Sequence, residues 1–247
     1  MTFVDILCPS CALFLDFDGT LVDIAPQPEA VVVPDGLVST LQQVQQYLGG
    51  AVAVVSGRPI TQIDSFLAPL HLPAAGVHGM ERRGTDGATL HAATHPLQLI
   101  EHAAEALARV YPALRVERKR GAIALHYRQA PELEQLCVDT MQAAVEESPG
   151  MTLLRGKMVA EAKPAGISKG SAIEAFLLEA PFHGRQPVFV GDDITDEIGF
   201  ATVQRLGGLG VKVGAGPSVA WQRLDSPDAM RTELERAMAH HSRKALA

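Results

Sequence analysis

The sequence predicts an α/β protein: a Rossmann-like core built on a parallel sheet, with a smaller α/β domain inserted into it. Buried-strand runs alternate with helical patterns at both ends of the chain, as in parallel α/β folds. Between about residues 97 and 163 the pattern changes to two pairs of strands, each preceded by a helix, which indicates an antiparallel sheet. We therefore expect a core at residues 1–94 and 167–247 and an inserted domain at residues 95–166.

The core elements follow from short apolar runs and from apolar residues at helical spacing. The first helical segment places Leu37, Leu41 and Val44 on one face. This helix should end at Gly49. Further along the chain, Asp86-Gly87 predicts a hairpin turn. We expect core strands at residues 12–14, 51–55, 74–77, 187–190 and 209–213, and core helices at residues 35–48, 59–67, 168–179 and 195–206, followed by terminal helices.

The inserted domain has the order helix, strand pair, helix, strand pair. Alternating apolar and polar residues mark its strands, and Gly121 supplies the turn of the first pair. The helices are expected at residues 97–110 and 131–147, and the strands at residues 114–119, 122–128, 151–155 and 157–163.

Composition excludes several classes of function. The 247 residues are 47% hydrophobic and 20% charged, with a net charge of −7, which disfavours a nucleic-acid or anionic-membrane surface. No apolar run approaches the roughly 20 residues of a membrane span. The N-terminus lacks the basic region of a signal peptide, so a cytoplasmic location is expected.

The three cysteines do not form a disulfide framework. Cys8-Pro-Ser-Cys11 has the spacing of a metal or redox pair, but it precedes the first strand and opens no obvious helix. Because no second pair completes a zinc site, neither a metal role nor a redox role is favoured.

Two carboxylates, Asp16 and Asp18, follow the first apolar strand. An unpaired buried carboxylate is costly, so this position calls for a cation or a proton. Ligands of open α/β sheets bind beyond the carboxyl ends of the strands, where both acids should lie. A carboxylate there can act as a nucleophile towards phosphorus. The alternative is that the two acids have no catalytic role, one being a loop residue and the other a cap.

Two further groups carry phosphate-binding chemistry. Ser56 follows the second strand and precedes a helix, where a hydroxyl and free backbone N–H groups suit an anion. Its alternative role is a plain helix cap. Lys169 lies in the opening turn of a helix, where the helix dipole disfavours a cation. Such a lysine could hold a phosphate near a carboxylate; the alternative is an exposed surface lysine.

The last group places four acids in the six positions 192–197, directly after a buried strand. Asp196 and Glu197 can be read as acids of a helix first turn. Asp192 and Asp193 lie earlier, and their mutual repulsion calls for a cation. Oxygen ligands beside a phosphate suit Mg²⁺ better than zinc or calcium.

These four groups, in this order, resemble the haloacid dehalogenase superfamily of phosphatases, and the insertion is similar to its C2-type cap. Within that superfamily the chain most resembles the bacterial trehalose-6-phosphate phosphatases, from about Leu13 to Val213. The motifs that carry the resemblance are Leu-Asp16-Phe-Asp18-Gly-Thr-Leu, Val-Ser56-Gly57-Arg58, His78-Gly79-Met-Glu81-Arg-Arg, His126-Tyr127-Arg128, Glu161-Ala-Lys163-Pro164 and Gly191-Asp192-Asp193-Ile-Thr-Asp196-Glu197.

The resemblance implies roles for these residues. Asp16 would be the nucleophile, and Asp18 the general acid and base. Ser56 and Lys169 would bind the transferring phosphoryl group. The implied Mg²⁺ ligands and supporting acids are Asp16, the backbone carbonyl of Asp18 and Asp192, with Asp193 and Asp196 in support.

The resemblance also implies that Glu117, Lys119 and Glu161 of the insertion contact the sugar. Strand residues two apart share a face, which groups Glu117 with Lys119 and Glu161 with Lys163. The alternative is a solvated face of alternating charge. Lys119 also belongs to a basic cluster whose other members, Arg115, Arg118 and Arg120, are expected to form a solvated hairpin tip. Further substrate contacts are assigned to Lys163, Gly57, Arg58 and His78.

The expected activity is Mg²⁺-dependent hydrolysis of trehalose 6-phosphate through an aspartyl phosphate. The alternatives are a phosphatase of another sugar phosphate, such as sucrose or mannosylglycerate phosphate, and a catalytically silent module that senses a sugar phosphate. A phosphomutase is disfavoured because mutases of this superfamily usually carry a cap between the first two groups, where this chain is short. The resemblance also suggests functional pairing with a trehalose-phosphate synthase.

Overall fold

The computed structural model describes residues 3–93, 96–119, 121–156 and 158–245. The chain forms two compact units: a core unit, Met1–Leu90 with Ser168–Ala247, and an inserted unit, His91–Ile167. The predicted first boundary, at residues 94 and 95, lies outside the described residues. The assignment of these units as catalytic core and specificity cap stays a prediction.

An eight-stranded, mainly parallel sheet runs through the core unit and confirms the predicted fold class. The strands are β1 (Cys11–Leu15), β2 (Val52–Val55), β3 (Ala74–Gly76), β4 (Glu81–Arg83), β5 (Thr89–His91), β10 (Gln186–Gly191), β11 (Leu209–Val213) and β12 (Gln222–Leu224). Their order across the sheet is β12-β11-β10-β1-β2-β3-β4-β5. β1 lies at the centre, parallel to β10 on one side and to β2 on the other.

The helices of the core unit are α1 (Phe3–Ile6), α2 (Leu37–Tyr47), α3 (Ile60–Leu67), α6 (Lys169–Leu177), α7 (Glu197–Arg205) and α8 (Pro227–Ala245). All except the short α1 were predicted. α2 buries Leu37, Leu41 and Val44, as its apolar spacing predicts, and starts after Gly36, which has a left-handed backbone. None of the helices in the described part of the chain is both long and apolar enough to cross a membrane.

After β11 the sequence predicts terminal helices, and this prediction missed one strand. The chain first adds the edge strand β12, parallel to β11, and a single long helix, α8, follows. β12 has the sequence Gln-Arg-Leu and is half-exposed, so it lacks the apolar run by which the buried strands were recognised. The predicted hairpin is confirmed, with Asp86 and Gly87 in the turn between β4 and β5.

The inserted unit is an antiparallel sheet with two helices, as predicted. The elements are α4 (Gln98–Val110), β6 (Arg115–Lys119), β7 (Ala122–His126), α5 (Glu134–Glu146), β8 (Met151–Gly156) and β9 (Val159–Pro164). The strand order is β6-β7-β9-β8. The unit has its own apolar core, in which Ile100, Leu125 and Met141 are fully buried. Arg120 and Lys157, the first residue of a predicted strand, lie outside the described residues.

Aromatic packing fixes β1 within the core unit. Every residue of β1 is buried. The ring of Phe14 lies 5.9 Å from that of Phe176 in α6 and 5.5 Å from that of Phe182 in the following loop. Because Asp16 follows this strand directly, the packing of β1 positions the carboxylate at the edge of the sheet.

Replacing Phe182 with alanine should lower the free energy of unfolding by about 3–5 kcal/mol, because it opens a cavity in this aromatic cluster. The change is measured by urea denaturation of the full chain. Leu178→Ala is the matched control, since Leu178 is 79% exposed and its loss should change stability by less than about 0.5 kcal/mol. A similar loss in both variants would contradict the prediction.

Candidate active site

The carboxyl ends of three neighbouring strands bring the predicted acids and serine to one edge of the sheet. Asp16 follows β1, Ser56 follows β2 and Asp192 follows β10. The backbone N–H of Asp16 donates to the carbonyl of Val190, 2.9 Å away. This edge is the ordinary ligand-binding position of open α/β sheets.

Lys169 joins two carboxylates in a buried ion cluster. Its Nζ lies 2.7 Å from Asp16 Oδ1 and 2.7 Å from Asp196 Oδ1. Lys169 is 3% exposed, so the alternative of a surface lysine is excluded. Ser168 caps α6 by accepting from the backbone N–H of Ser171, which holds Lys169 in the first turn.

Burial and neighbouring charge shift the titration of this cluster. Burial raises the pKa of Asp16 well above its ordinary value, and although Lys169 opposes this, the Asp196 and Asp192 carboxylates add to it. Burial by itself would lower the pKa of Lys169, but Asp16 and Asp196 outweigh it and raise that pKa. The lysine is therefore held in its charged form.

Asp196 shapes the loop that carries Asp192. Its Oδ1 accepts from Lys169, and its Oδ2 accepts from the backbone N–H groups of Asp192 and Asp193 at 3.0 and 2.9 Å. A Cβ on Gly191 would lie 2.4 Å from Asp196 Cγ, so glycine is required there. Both carboxylate oxygens of Asp196 are thus already used, which suits a supporting acid.

A cation would relieve the repulsion in this cluster. Oxygen atoms of Asp16, Asp192 and Asp196 all lie within 4.8 Å of one another. Burial raises the pKa of Asp192 to about 7, with contributions from the Asp196 and Asp193 carboxylates that Lys169 and Lys212 only partly oppose. Three crowded carboxylates are hard oxygen donors, so the residues present fit a divalent cation. Since Asp196 is engaged, Asp16 and Asp192 are the available carboxylate ligands.

Gly19 allows the Asp192 carboxylate to lie against the loop that follows β1. Its backbone is left-handed, and a Cβ at this position would lie 2.1 Å from Asp192 Oδ2. Any larger residue would therefore push the Asp192 carboxylate away from the loop after β1.

Asp18 is engaged by Arg58, which was predicted to contact substrate. Arg58 Nε donates to Asp18 Oδ2 at 2.5 Å, and Nη2 donates to Oδ1 at 2.7 Å. The guanidinium also lies over the rings of Phe17 and Phe66 and donates to Gln62. This two-point contact aims the Asp18 side chain, which stays 35% exposed.

Ser56, Gly57 and His78 form one local contact. Ser56 is buried and its Oγ accepts from the backbone N–H of Arg58, whereas the residue preceding α3 is Pro59, so Ser56 does not cap that helix. A Cβ on Gly57 would lie 2.7 Å from the His78 ring. His78 itself has a left-handed backbone, an uncommon conformation for this residue type that marks a constrained segment.

Sequence reasoning missed two supporting residues at this edge. Lys212 of β11 is buried and donates to the backbone carbonyl of Asp192. A lysine within an otherwise buried strand run was the available signal for it. Glu81 Oε1 accepts from the backbone N–H of Ile60 at 2.6 Å and thereby satisfies the start of α3.

In the inserted unit, Glu117, Lys119 and Glu161 lie on one face. Ala124 of β7 pairs with Glu117 on one side and with Glu161 on the other, which sets the two acids in a row across three strands. Lys119 Nζ lies 2.7 Å from Glu161 Oε2 and 3.9 Å from Glu117 Oε2. Glu161 is 3% exposed, and its Oε1 is buried without a hydrogen-bond partner in the described structure. A partly satisfied buried acid of this kind suits a ligand hydroxyl better than a solvated sheet face.

His126 is a further member of this face that the site prediction omitted. Its Nε2 lies 2.8 Å from Glu117 Oε2. This hydrogen bond lowers the pKa of Glu117, with burial opposing it and Lys119 adding to it. His126 thus keeps Glu117 charged and in place.

Lys163 differs from its neighbours in having a backbone partner. It donates to the carbonyl of Ile167, and burial lowers its pKa while Glu161 opposes that shift. Arg118, expected in a solvated hairpin tip, is more than half exposed but pairs with Glu101 and Glu105 of α4. These contacts lie within the inserted unit.

Comparison with known proteins connects this chain to one family. A family model described as trehalose-phosphatase matches residues 14–228. The trehalose-6-phosphate phosphatase of Escherichia coli (strain K12) is 47% identical over 229 residues, which cover 88% of this chain and 83% of that protein. A probable trehalose-phosphate phosphatase of Sinorhizobium fredii is 42% identical over 89% of this chain and 84% of that protein.

Two other matches extend this result. A bifunctional trehalose-6-phosphate synthase/phosphatase of Thermoproteus tenax is 36% identical over 90% of this chain, which corresponds to 31% of that longer protein. The C-terminal domain of the C. albicans trehalose-6-phosphate phosphatase superposes with a TM-score of 0.86 at 19% identity, covering 96% of this chain and 95% of that one. This second likeness supports the fold.

The raised pKa of Asp192 predicts an unusual pH dependence of stability. In the absence of a divalent cation, the folded protein should hold a proton on Asp192 between about pH 4 and about pH 7 that the unfolded chain releases. The free energy of unfolding should therefore fall by roughly 2–4 kcal/mol as the pH rises through this range. Urea denaturation in EDTA at several pH values measures it.

The control for this prediction is Asp192→Asn, which should reduce the dependence of the unfolding free energy on pH. The dependence that comes from Asp16, whose pKa is also raised, should remain. Adding MgCl2 to the unaltered protein should raise stability most above pH 7, where Asp192 is ionised. An unchanged slope in Asp192→Asn would contradict the assignment.

Proposed function

This chain belongs to the trehalose-phosphatase family, and we infer from that membership that it hydrolyses trehalose 6-phosphate to trehalose and phosphate. The observation that carries this inference is the buried cluster of Asp16, Lys169 and Asp196 beside Asp192. Buried charges are retained at a cost in stability, so a cluster of this kind at the ligand edge favours catalysis over a silent sensing module.

Asp16 is the proposed nucleophile. A carboxylate oxygen of Asp16 attacks phosphorus in line, which forms an aspartyl phosphate and breaks the bond to the sugar 6-oxygen. Lys169 lies against Asp16 and can offset the charge that develops on the phosphoryl oxygens. Ser56, whose Oγ accepts from Arg58, retains its own proton to donate to one of these oxygens.

Asp18 is the proposed general acid and base. It protonates the leaving sugar oxygen, and then takes a proton from the water that hydrolyses the aspartyl phosphate. The ion pair with Arg58 holds the carboxylate, so this contact must loosen for Asp18 to transfer a proton. We assign Arg58 this positioning role in addition to its proposed substrate contact, which Gly57 and His78 would share.

The family implies a divalent metal, and we propose Mg²⁺ held by Asp16, the backbone carbonyl of Asp18 and Asp192, with Asp193 and Asp196 in support. When bound, the ion supplies positive charge that neutralises the carboxylates and the phosphoryl oxygens.

The inserted unit is the proposed sugar-reading domain. Glu117, Lys119 and Glu161 combine acceptors with a donor on one face, which is the chemistry that sugar hydroxyls require. Lys163 is also proposed to contact the sugar, although its Nζ already donates to the backbone carbonyl of Ile167. Phosphatases for other sugar phosphates would share the core chemistry, so the choice of trehalose depends on this face.

The synthase/phosphatase of Thermoproteus tenax supports a proposed functional pairing with a trehalose-phosphate synthase. We also propose a cytoplasmic location, which the three free cysteine thiols support because such thiols are typical of reducing compartments.

Asp16→Asn should abolish phosphate release from trehalose 6-phosphate, because the amide is a poor nucleophile and cannot form the aspartyl phosphate. Released phosphate is measured with saturating Mg²⁺. Asp23→Asn is the matched control, since Asp23 is an exposed acid near the same loop, and it should keep full activity. Activity of Asp16→Asn above a hundredth of the unaltered rate would refute the nucleophile assignment.

Glu161→Gln should raise the KM for trehalose 6-phosphate at least ~10-fold, since one lost charged hydrogen bond to a hydroxyl is worth about 1.5 kcal/mol. Turnover of p-nitrophenyl phosphate, which has no sugar, should stay unchanged. Glu132→Gln serves as control, because Glu132 is an exposed acid elsewhere in the inserted unit. Equal losses on both substrates would argue against a sugar-reading face.

A further inference from the structure

A pair of thiols lies at the opposite end of β1 from Asp16. Cys8 and Cys11 span the turn between α1 and β1, in which the backbone N–H of Cys11 donates to the Cys8 carbonyl at 2.9 Å. Their sulfur atoms are 2.9 Å apart. A disulfide has a sulfur–sulfur distance of about 2.05 Å, so the sulfurs need to approach by only about 0.9 Å to bond.

The two thiols differ in access and in acidity. Cys8 is partly exposed, whereas Cys11 is buried. Partial burial disfavours ionisation of Cys8, but its hydrogen bonds with Cys11 and Ser10 outweigh it and lower the Cys8 pKa. Burial, together with the hydrogen bond to Cys8, raises the pKa of Cys11 to about 11. An accessible, more acidic thiol beside a buried partner is the arrangement of an attacking and a resolving cysteine.

Hydrogen bonds to neighbouring segments hold the turn that carries the two thiols. Arg185 Nη1 donates to the carbonyls of Pro9 and Leu48, at 2.8 and 2.6 Å, and ties the turn to the end of α2. Cys11 Sγ donates to the carbonyl of Ile6 at 3.1 Å. Within the described residues, no third histidine, cysteine or acid lies close enough to complete a metal site with the two thiols. Oxidation therefore suits the pair better than metal binding.

We propose that Cys8 and Cys11 are a redox-active dithiol that forms an intramolecular disulfide by exchange with a small-molecule disulfide. The Cys8 thiolate attacks one sulfur of the disulfide, and one small thiol leaves with a proton from solvent. Cys11 then loses its proton to solvent, attacks the Cys8 sulfur and releases the second small thiol. The two protein thiols are oxidised by two electrons, and the small disulfide is reduced by the same two.

This site is separate from the proposed phosphatase chemistry. β1 has five residues and spans about 16 Å, which places the thiols at the amino edge of the sheet and Asp16 at the carboxyl edge. Oxidation should therefore leave phosphate release intact, and the test does not depend on the phosphatase assignment.

The experiment equilibrates the native full chain with glutathione and its disulfide at several ratios, then alkylates free thiols and locates them by peptide mass spectrometry. The expected product has lost two hydrogen atoms and carries a Cys8–Cys11 bond. The same titration in urea measures the unfolded chain. Because folding holds the sulfurs together, the folded pair should favour the disulfide at least 10-fold more, which corresponds to about 30 mV.

Two variants and one internal control sharpen the outcome. Cys11→Ser should accumulate a glutathione adduct at Cys8, and Cys8→Ser should stay reduced at Cys11, with circular dichroism confirming that both fold. Cys137 is a buried cysteine of the inserted unit whose thiol pKa is raised by burial, and it should stay reduced in all titrations of the native chain. Free thiols at both Cys8 and Cys11 under oxidising ratios, or a persistent adduct at Cys8 of the unaltered protein, would overturn the proposal. A folded pair no easier to oxidise than the unfolded one would also overturn it.

Discussion

The buried ion cluster of Lys169 with Asp16 and Asp196 is the constraint on which the core unit depends. Taking three charged groups out of water is costly, and removing one partner leaves uncompensated charge inside the protein. The cluster joins the end of β1, the first turn of α6 and the loop after β10. Segments more than 150 positions apart in the sequence are therefore held to one geometry by shared charge.

Several other features follow from this constraint. Asp196 accepts from Lys169 with one carboxylate oxygen. Its other oxygen accepts from the backbone N–H groups of Asp192 and Asp193 and so holds the loop that carries them. Close approach of these carboxylates to the loops leaves no room for a Cβ at Gly19 or Gly191. Burial raises the pKa of Asp192, and the neighbouring Asp196 and Asp193 carboxylates add to this shift, so a divalent cation at this edge would stabilise the ionised acids.

The inserted unit also places a lysine against two carboxylates, but here the hydrogen bonding is incomplete. Lys119 lies between two acids, but one oxygen of Glu161 has no partner in the described structure, and Glu117 is fixed by His126. This polar face has an unsatisfied acceptor and can therefore form hydrogen bonds with a ligand that carries several hydroxyl groups. The core cluster, in contrast, consists of paired charged groups around Lys169. In the function proposed above, the core cluster carries out the chemistry of phosphate and this face of the inserted unit recognises the sugar.

The sequence by itself determined most of the helices and strands, the interruption of the parallel core, and the acids, serine and lysine predicted at the ligand edge, because strand and helix periodicity and the ends of strands are local properties. It left open whether Lys169 was buried or exposed and whether Ser56 capped a helix, and it did not reveal the Arg58 pair with Asp18, the Lys212 contact or the edge strand β12. The proximity of the Cys8 and Cys11 sulfurs was equally invisible, since spacing does not fix the conformation of a turn. Only the tertiary structure decided these points, because burial and pairing of charges arise from contacts between distant segments that no local pattern encodes.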